Sequence, residues 1–173
     1  MDVEATLGRL FGAIRLALFE ATQKKQEPGG LDLRFMSSLA PGADQAIAKA
    51  ASAHGFQLMT VVPGTRESYY QRLIQKPEWA RAALAFDCTI ACDRSSLVVE
   101  LAKPEPALET IDRESTRLVV EHSDLVVALW TGEEPKAESF TAYGVRVARD
   151  RGIPIIHIDP AMPAEWTFTT GRF

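Results

Sequence analysis

Three segments of the sequence place hydroxyl, carboxyl or guanidinium side chains beside glycine or proline, directly after a predicted strand. They are residues 37–44, 62–69 and 131–141. In an open parallel sheet such loops lie beyond the carboxyl ends of the strands, where the N–H groups of the next helix face an anion. The pattern therefore predicts a site for a small polar ligand that carries an anionic group.

The first loop, residues 37–44, has groups that suit close contact with a ligand. Gly42 and Ala43 leave the backbone open to close approach, and Ser38 supplies a hydroxyl. Asp44 either belongs to the site or stabilises the start of a helix through the helix dipole. Both interpretations remain open for this loop.

The second loop, residues 62–69, offers Arg66 as a cation and Tyr69 as a surface on which a ring could stack. Thr65 and Ser68 also fit simple capping of a helix, with Arg66 in solvent. We favour capping as the role of this loop when it is considered alone.

The third loop, residues 131–141, ends at two hydroxyls, Ser139 and Thr141, which could hold a phosphate or a ribose. Ser139 could equally cap a helix. The acids before it, among them Glu138, would repel a phosphate unless a cation such as Arg66 compensates.

Alternating strands and helices must position these loops. Apolar spacing predicts an opening helix over 3–22, strands at 31–37, 56–62, 96–101, 125–130 and 153–158, and helices at 43–54, 67–75, 78–86, 108–121 and 139–151. Residues 86–93 either extend a helix or form a loop, and the tail after Asp159 is predicted to be irregular. The alternation predicts a Rossmann-like three-layer α/β/α fold with a mainly parallel sheet of about five strands.

Composition sets limits on the class of protein. The 173 residues correspond to one domain, spanning 1–173, and 46% hydrophobic with 24% charged residues is typical of a packed globular chain. A net charge of −4 disfavours nucleic acid as a partner. No apolar run reaches the roughly 18 residues of a membrane span. Cys88 and Cys92 are predicted to be buried apolar residues of a cytoplasmic protein, without a disulfide or metal site.

Two stretches resemble a bacterial branch of the SLOG superfamily, which includes the DprA/Smf proteins, lonely-guy phosphoribohydrolases and sensing domains of melastatin-type TRP channels. They read SSLAPGADQAIAKAASAHGFQLMTVVPGTRESY and VVEHSDLVVALWTGEEPKAESFTAYGVRVARDRGIPIIHID, within residues 31–159. The resemblance implies that the three loops line a pocket for nucleotide-derived ligands. The residues that match the motifs of this family are Ser38, Ala40, Gly42, Ala43, Asp44, Pro63, Arg66, Asp124, Trp130, Gly132 and Thr141.

The chain also departs from that pattern. Ser38 stands where the family usually has glycine, Ser139 and Phe140 replace a glycine pair, and no opening strand with a G-H-R loop is present. Phe140 is expected to obstruct backbone contact with a phosphate. Lonely-guy enzymes cleave an N-glycosidic bond with an Arg and a Glu, but no Glu follows Thr141 at the matching position. Glu138 and Asp44 are the acids placed to substitute.

The expected function is binding or sensing of a nucleotide-derived ligand, of the ADP-ribose or NAD-related type, by a regulatory homo-oligomer without a cofactor. The expected ligand-binding residues are Ser38, Ala40, Gly42, Ala43, Asp44, Pro63, Arg66, Trp130, Gly132, Ser139 and Thr141. One alternative is a nucleoside monophosphate phosphoribohydrolase or a deoxyribosyltransferase-like enzyme. Another is a degenerate interaction domain that binds no ligand, and DNA binding of the DprA type ranks last.

Overall fold

The computed structural model describes residues 2–25, 32–92, 97–101, 108–132 and 139–170. Within these ranges the chain forms six α-helices and six short strands. The helices are α1 (Val3–Lys25), α2 (Ala43–Ala53), α3 (Arg66–Ile74), α4 (Ala80–Cys92), α5 (Leu108–Glu121) and α6 (Phe140–Asp150). The strands are β1 (Arg34–Ser37), β2 (Gln57–Val62), β3 (Leu97–Glu100), β4 (Val126–Leu129), β5 (Ile155–Ile158) and β6 (Thr167–Thr169), and a 3₁₀ turn, Pro77–Trp79, precedes α4.

The described strands divide between two sheets of three instead of joining about five in one. β1, β2 and β3 are parallel, and Ser37 lies opposite Thr60. β4 is parallel to β5, and β5 is antiparallel to β6. The mixed α/β class predicted from the sequence is confirmed. Apolar runs indicate which segments are extended, but they do not report which strand edges exchange hydrogen bonds.

Helices cover the strands on both faces. Successive side chains of β5 point in opposite directions, so Ile155 and Ile156 enter different clusters. The cluster of Ile156 also contains buried residues of α1 and α2 and the half-buried Phe35 of β1 and Val127 of β4. The cluster of Ile155 contains Val120 of α5 and Val145 of α6. β4 and β5 thus lie between an α1–α2 layer and an α5–α6 layer.

The tail after Asp159 is not irregular throughout, as the sequence predicted. β6 adds an antiparallel strand to the edge of β5, and the tail is also tied to α1, because Arg9 donates to the carbonyl of Ala164 at 2.8 Å. The strand was missed because its central residue, Phe168, is 59% exposed. A three-residue edge strand with its apolar side chain in solvent leaves no inward apolar pattern to detect.

None of the helices in the described ranges has both the length and the apolar character that crossing a bilayer requires.

Candidate functional site

The first loop, between β1 and α2, folds around the carboxylate of Asp44. One oxygen, Oδ2, accepts hydrogen bonds from the hydroxyls of Ser37 and Ser38, each at 3.1 Å, and from the N–H of Ala40 at 3.4 Å. The groups expected to meet a ligand anion therefore already bind an anion that belongs to the chain. The structure brings Ser38, Ala40 and Asp44 together as predicted, with Asp44 at the centre.

The backbone of this loop is held by further contacts. Gly42 precedes α2 with φ 95° and ψ −114°, a conformation that strongly favours glycine. Leu39 is also left-handed, at φ 55°, and its side chain is only 1% exposed. The carbonyl of Leu39 accepts from Gln45, which also donates to the carbonyl of Ala82 in α4. These contacts hold the backbone of the loop in one conformation.

Asp44 is the one catalytic candidate that the structure describes, because Glu138 lies outside the described residues. Burial raises the pKa of the Asp44 carboxyl above its ordinary value, and the hydrogen bonds from Ser38, Ser37 and Ala40 act in the opposite direction. A buried carboxyl with a raised pKa can donate or accept a proton. While ionised, it would repel a phosphate at this loop.

The second loop, between β2 and α3, is capped as the sequence suggested. The side chain of Thr65 accepts from the N–H of Ser68 at 3.1 Å, and the side chain of Ser68 accepts from the N–H of Thr65 at 3.1 Å. Pro63 is buried, and its carbonyl accepts from Arg72 at 2.7 Å. Arg66 is 40% exposed and forms an ion pair with Asp87 of α4. Capping of α3 by this loop is confirmed.

Tyr69 is not the stacking surface that the sequence suggested, because it is 6% exposed and its ring packs edge-on against Phe86. The pKa of its hydroxyl is raised, first by burial and then by the charges of Asp44 and Asp112, while Arg72 acts in the opposite direction. Leu39 of the first loop and Tyr69 belong to the same core cluster, so the first two loops share this part of the core.

Arg72 and Asp112 form an ion pair that was not predicted from the sequence. The guanidinium lies 3.3 Å from the carboxylate and 5.0 Å from the centre of the Tyr69 ring. Burial raises the pKa of Asp112, and the charge of Arg72 opposes that shift. The sequence did contain a signal for this pair. Arg72 lies three residues after Tyr69, so it is on the same apolar face of α3 as Tyr69 and Leu73. The pair fixes the end of β2 to both α3 and α5.

A cleft of about 520 Å³ opens around the ion pair of Arg66 and Asp87, at the carboxyl ends of β2 and β3. Its position follows from the parallel pairing of these strands, which places the start of α3 and the last residue of β3 at one edge. The lining contains one guanidinium, three carboxylates and a half-buried tyrosine ring. The lining residues are Thr65, Arg66, Glu67, Tyr70, Asp87 and Glu100. Only Arg66 among them was predicted from the sequence.

The third loop contacts β5, in the sheet formed by β4, β5 and β6. The carbonyl of Trp130 is hydrogen-bonded to Nε2 of His157 in β5, and a Cβ built on Gly132 would lie 3.9 Å from the same ring. Ser139 caps α6, because its side chain accepts from the N–H of Ala142 at 3.0 Å. Residues 133–138 lie outside the described part of the chain. The structure thus groups the first two loops and ties the third to β5.

The remaining predicted residues have other surroundings. Ala43 packs against the core beneath α1, whereas Asp124 and Thr141 are exposed. Phe140, the first residue of α6, is 41% exposed. Cys88 is exposed, so its predicted burial is wrong: the apolar stripe of α4 passes through Phe86 instead. The side chain of Cys92 lies outside the described residues.

No family model, curated protein or solved structure matches this chain. Among the described residues there is also no cluster of three or more His, Cys, Asp or Glu side chains that could hold a metal ion. A function must therefore be argued from the chemistry of the cleft and of the loops beside it.

Proposed function

We propose that this chain binds a nucleotide-derived small molecule, of the ADP-ribose or NAD-related class, and serves as a sensing domain. The observation that carries the proposal is the cleft at the carboxyl ends of β2 and β3, lined by Tyr70, Arg66 and three carboxylates. Ligands of open α/β sheets bind at this edge. The resemblance to the SLOG superfamily supports the same class of ligand.

Each lining group suits one part of such a ligand. The half-buried ring of Tyr70 can stack on a base, and the carboxylates of Glu67 and Glu100 can accept hydrogen bonds from ribose hydroxyls. The lining carries three acids and one arginine, a charge of −2, which disfavours phosphate inside the cleft. We therefore place the base and ribose inside, with the phosphates directed towards Arg66 at the side where Asp87 now binds it.

The order of the strands is compatible with this site. The two sheets have the orders 1-2-3 and 4-5-6, which are the two halves of the doubly wound order 3-2-1-4-5-6. In a Rossmann-like fold of that order, the ligand crosses the point between β1 and β4. The β1 loop at that point is already filled by Asp44, and this favours the neighbouring cleft as the binding site.

Calorimetric titration with adenosine, AMP, ADP-ribose and NAD tests the proposal. Tyr70→Ala should weaken binding of every ligand by about 5- to 150-fold, the effect of losing one base–aromatic stack. Arg66→Ala should weaken only the ligands that carry phosphate. Tyr143→Ala is the matched control, because that ring lies under Arg113 on the helix pair α5–α6. Absence of binding by all four ligands at millimolar concentration would contradict the proposal.

A second candidate function is cleavage of an N-glycosidic bond, favoured by the half-buried carboxyl of Asp44 beside the hydroxyl of Ser38. In such an enzyme the carboxyl would assist the attack of water on the ribose carbon. Release of free adenine from AMP, abolished by Asp44→Asn, would support it. The three hydrogen bonds to Oδ2 weigh against this role, because they hold the carboxylate in the loop.

A further inference from the structure

The C-terminal half of α1 carries an apolar face that the described chain leaves exposed. Leu16 and Phe19 are 58% and 53% exposed. With Gly12 and Leu33 they line a groove of about 510 Å³. Elsewhere in α1 the apolar residues Leu7, Leu10 and Phe11 are buried in the core.

The exposed pair lies on the far side of the helix from the core. At about 100° per residue, Leu16 and Phe19 are separated by roughly 60°, and their common direction lies roughly 160° from that of the buried residues. The helix thus has two apolar faces, and the described residues cover only one of them. A helix that is apolar on opposite faces is expected to be buried on both.

Charged residues flank this face in a specific arrangement. Arg15 precedes Leu16 and Glu20 follows Phe19, and both charged side chains are exposed. The four residues correspond to positions g, a, d and e of a heptad. In two parallel helices related by a two-fold axis, position g of one lies near position e of the other, so Arg15 would face Glu20 of the second copy. In an antiparallel pair Arg15 would face another Arg15.

We propose that this face pairs with the same face of a second copy of the chain, with the two α1 helices parallel. Leu16 and Phe19 form the seam, and two Arg15–Glu20 ion pairs flank it. Arg15 retains donors for this contact, because its single described hydrogen bond, to the carbonyl of His54, uses one guanidinium nitrogen. The groove beside Gly12 and Leu33 accommodates apolar side chains of the second copy. The interface is distinct from the ligand cleft and does not depend on it.

The seam covers only about one heptad, so the dimer is expected to be weak and to form at high protein concentration. Sedimentation equilibrium of the full chain from about 10 µM to about 1 mM covers the range of such weak contacts. The expected result is a monomer–dimer equilibrium that Phe19→Glu shifts to monomer. Leu84→Glu, at a leucine that is 60% exposed on α4, is the matched control and should leave the equilibrium unchanged. Circular dichroism of both variants checks that each is folded.

Charge exchange tests the parallel orientation. Arg15→Glu should weaken the dimer at least tenfold, since it places two glutamates together at each flank, and the double variant Arg15→Glu, Glu20→Arg should restore it. Leu16→Cys, combined with Cys88→Ser and Cys92→Ser, should form a disulfide between copies, because residue 16 faces itself across a parallel seam. A chain that stays monomeric at every concentration overturns the proposal. So does a dimer that Phe19→Glu does not weaken, or one that the charge exchange does not restore.

Discussion

The loops after β1 and β2 have similar backbones, but their polar groups have different partners. Each leaves a parallel strand through a glycine with positive φ, Gly42 at 95° and Gly64 at 102°, and enters a helix. In the first loop the carboxylate of Asp44 turns back and takes the loop's hydrogen-bond donors. In the second loop, Thr65 and Ser68 cap the helix locally, and the side chain of Arg66 extends into a cleft.

The difference shows that a position at the carboxyl end of a strand is not sufficient for a binding site. The loop donors must also remain available to a ligand. A single carboxylate in the first turn of α2 closes one loop. In the other loop, the corresponding acid, Glu67, is exposed and lines the cleft.

The largest contrast is expected between Arg72 and Arg66, two arginines of α3 beside the second loop. Arg72→Ala removes the partner of the three-quarters buried Asp112 and a donor to the carbonyl of Pro63. We expect a loss of about 3 kcal/mol in the free energy of unfolding, because a buried carboxylate then lacks its counter-ion. Arg66→Ala breaks an exposed pair and should cost less than about 0.5 kcal/mol. Urea unfolding measures both, and equal losses would show that the buried pair stabilises the chain no more than the exposed one.

Much of this architecture follows from sequence periodicity. The bounds of α5 agree with the prediction, and residues 86–92 continue α4, because the apolar stripe through Ala83 and Phe86 extends along one helix. The division into two sheets could not be predicted, because it depends on hydrogen bonds between strand edges. Likewise β6 lacked a buried apolar residue.

The candidate site was predicted only as a set of strand-end loops. The hydrogen bonds of Asp44 with Ser37 and Ser38 depend on the rotamer of the Asp44 side chain. A sequence pattern contains no information on that rotamer. Tyr69 and Tyr70 are adjacent, and the sequence pattern does not distinguish the buried ring of Tyr69 from the ring of Tyr70 that lines the cleft. The arginine in the apolar stripe of α3 was the signal that could have identified Arg72. Asp87 and Glu100 come from separate elements and meet Arg66 only through the tertiary fold.

A second contrast compares two replacements of Asp44. Asp44→Ala leaves two hydroxyls and the N–H of Ala40 without their acceptor, and we expect a loss of about 2 kcal/mol in the free energy of unfolding. Asp44→Asn keeps an oxygen at the centre of the loop and should cost less than about 1 kcal/mol. Asp124→Ala, at an exposed carboxylate, is the control. If alanine and asparagine behaved alike, the loop would not be held by this oxygen.

The same position predicts a dependence on pH. Burial raises the pKa of Asp44 in the folded chain above the ordinary value of 3.8, so the folded state holds the proton more tightly than the unfolded state. The resulting stabilisation is complete below 3.8 and is lost as the pH rises through the raised value. The wild type should therefore gain stability relative to Asp44→Asn as the pH falls from 7 to 4. Urea unfolding of both proteins across this range measures the difference, and a relative loss by the wild type would contradict the shift.

A third contrast compares the two glycines. Both need a positive φ, but a Cβ on Gly42 would meet nothing within 4 Å, whereas a Cβ on Gly64 would lie 2.8 Å from the hydroxyl of Ser68. Gly64→Ala should therefore destabilise the chain by about 1 kcal/mol more than Gly42→Ala. Ser68→Ala removes part of the cap of α3, but it should cost less in the Gly64→Ala background than alone, because there it also removes the close contact. Thermal unfolding of Gly42→Ala, Gly64→Ala, Ser68→Ala and the double variant measures these costs. If both glycine replacements cost the same free energy of unfolding, Ser68 would move away from the new Cβ without loss of stability.

The smallest expected difference is between two buried hydroxyls, one of which lies in β2 beside the first loop. Thr60 pairs in register with Ser37 and is fully buried, yet the described residues place no hydrogen-bond partner within reach of its hydroxyl. Ser115, also buried, donates to the carbonyl of Val61 at 3.1 Å. Thr60→Val should leave the free energy of unfolding unchanged or raise it by less than about 1 kcal/mol, whereas Ser115→Ala should lower it by about 1 kcal/mol. A loss at Thr60 as large as that at Ser115 would mean that a buried water binds the hydroxyl beside Ser37, so that the closed loop extends its polar contacts into the sheet.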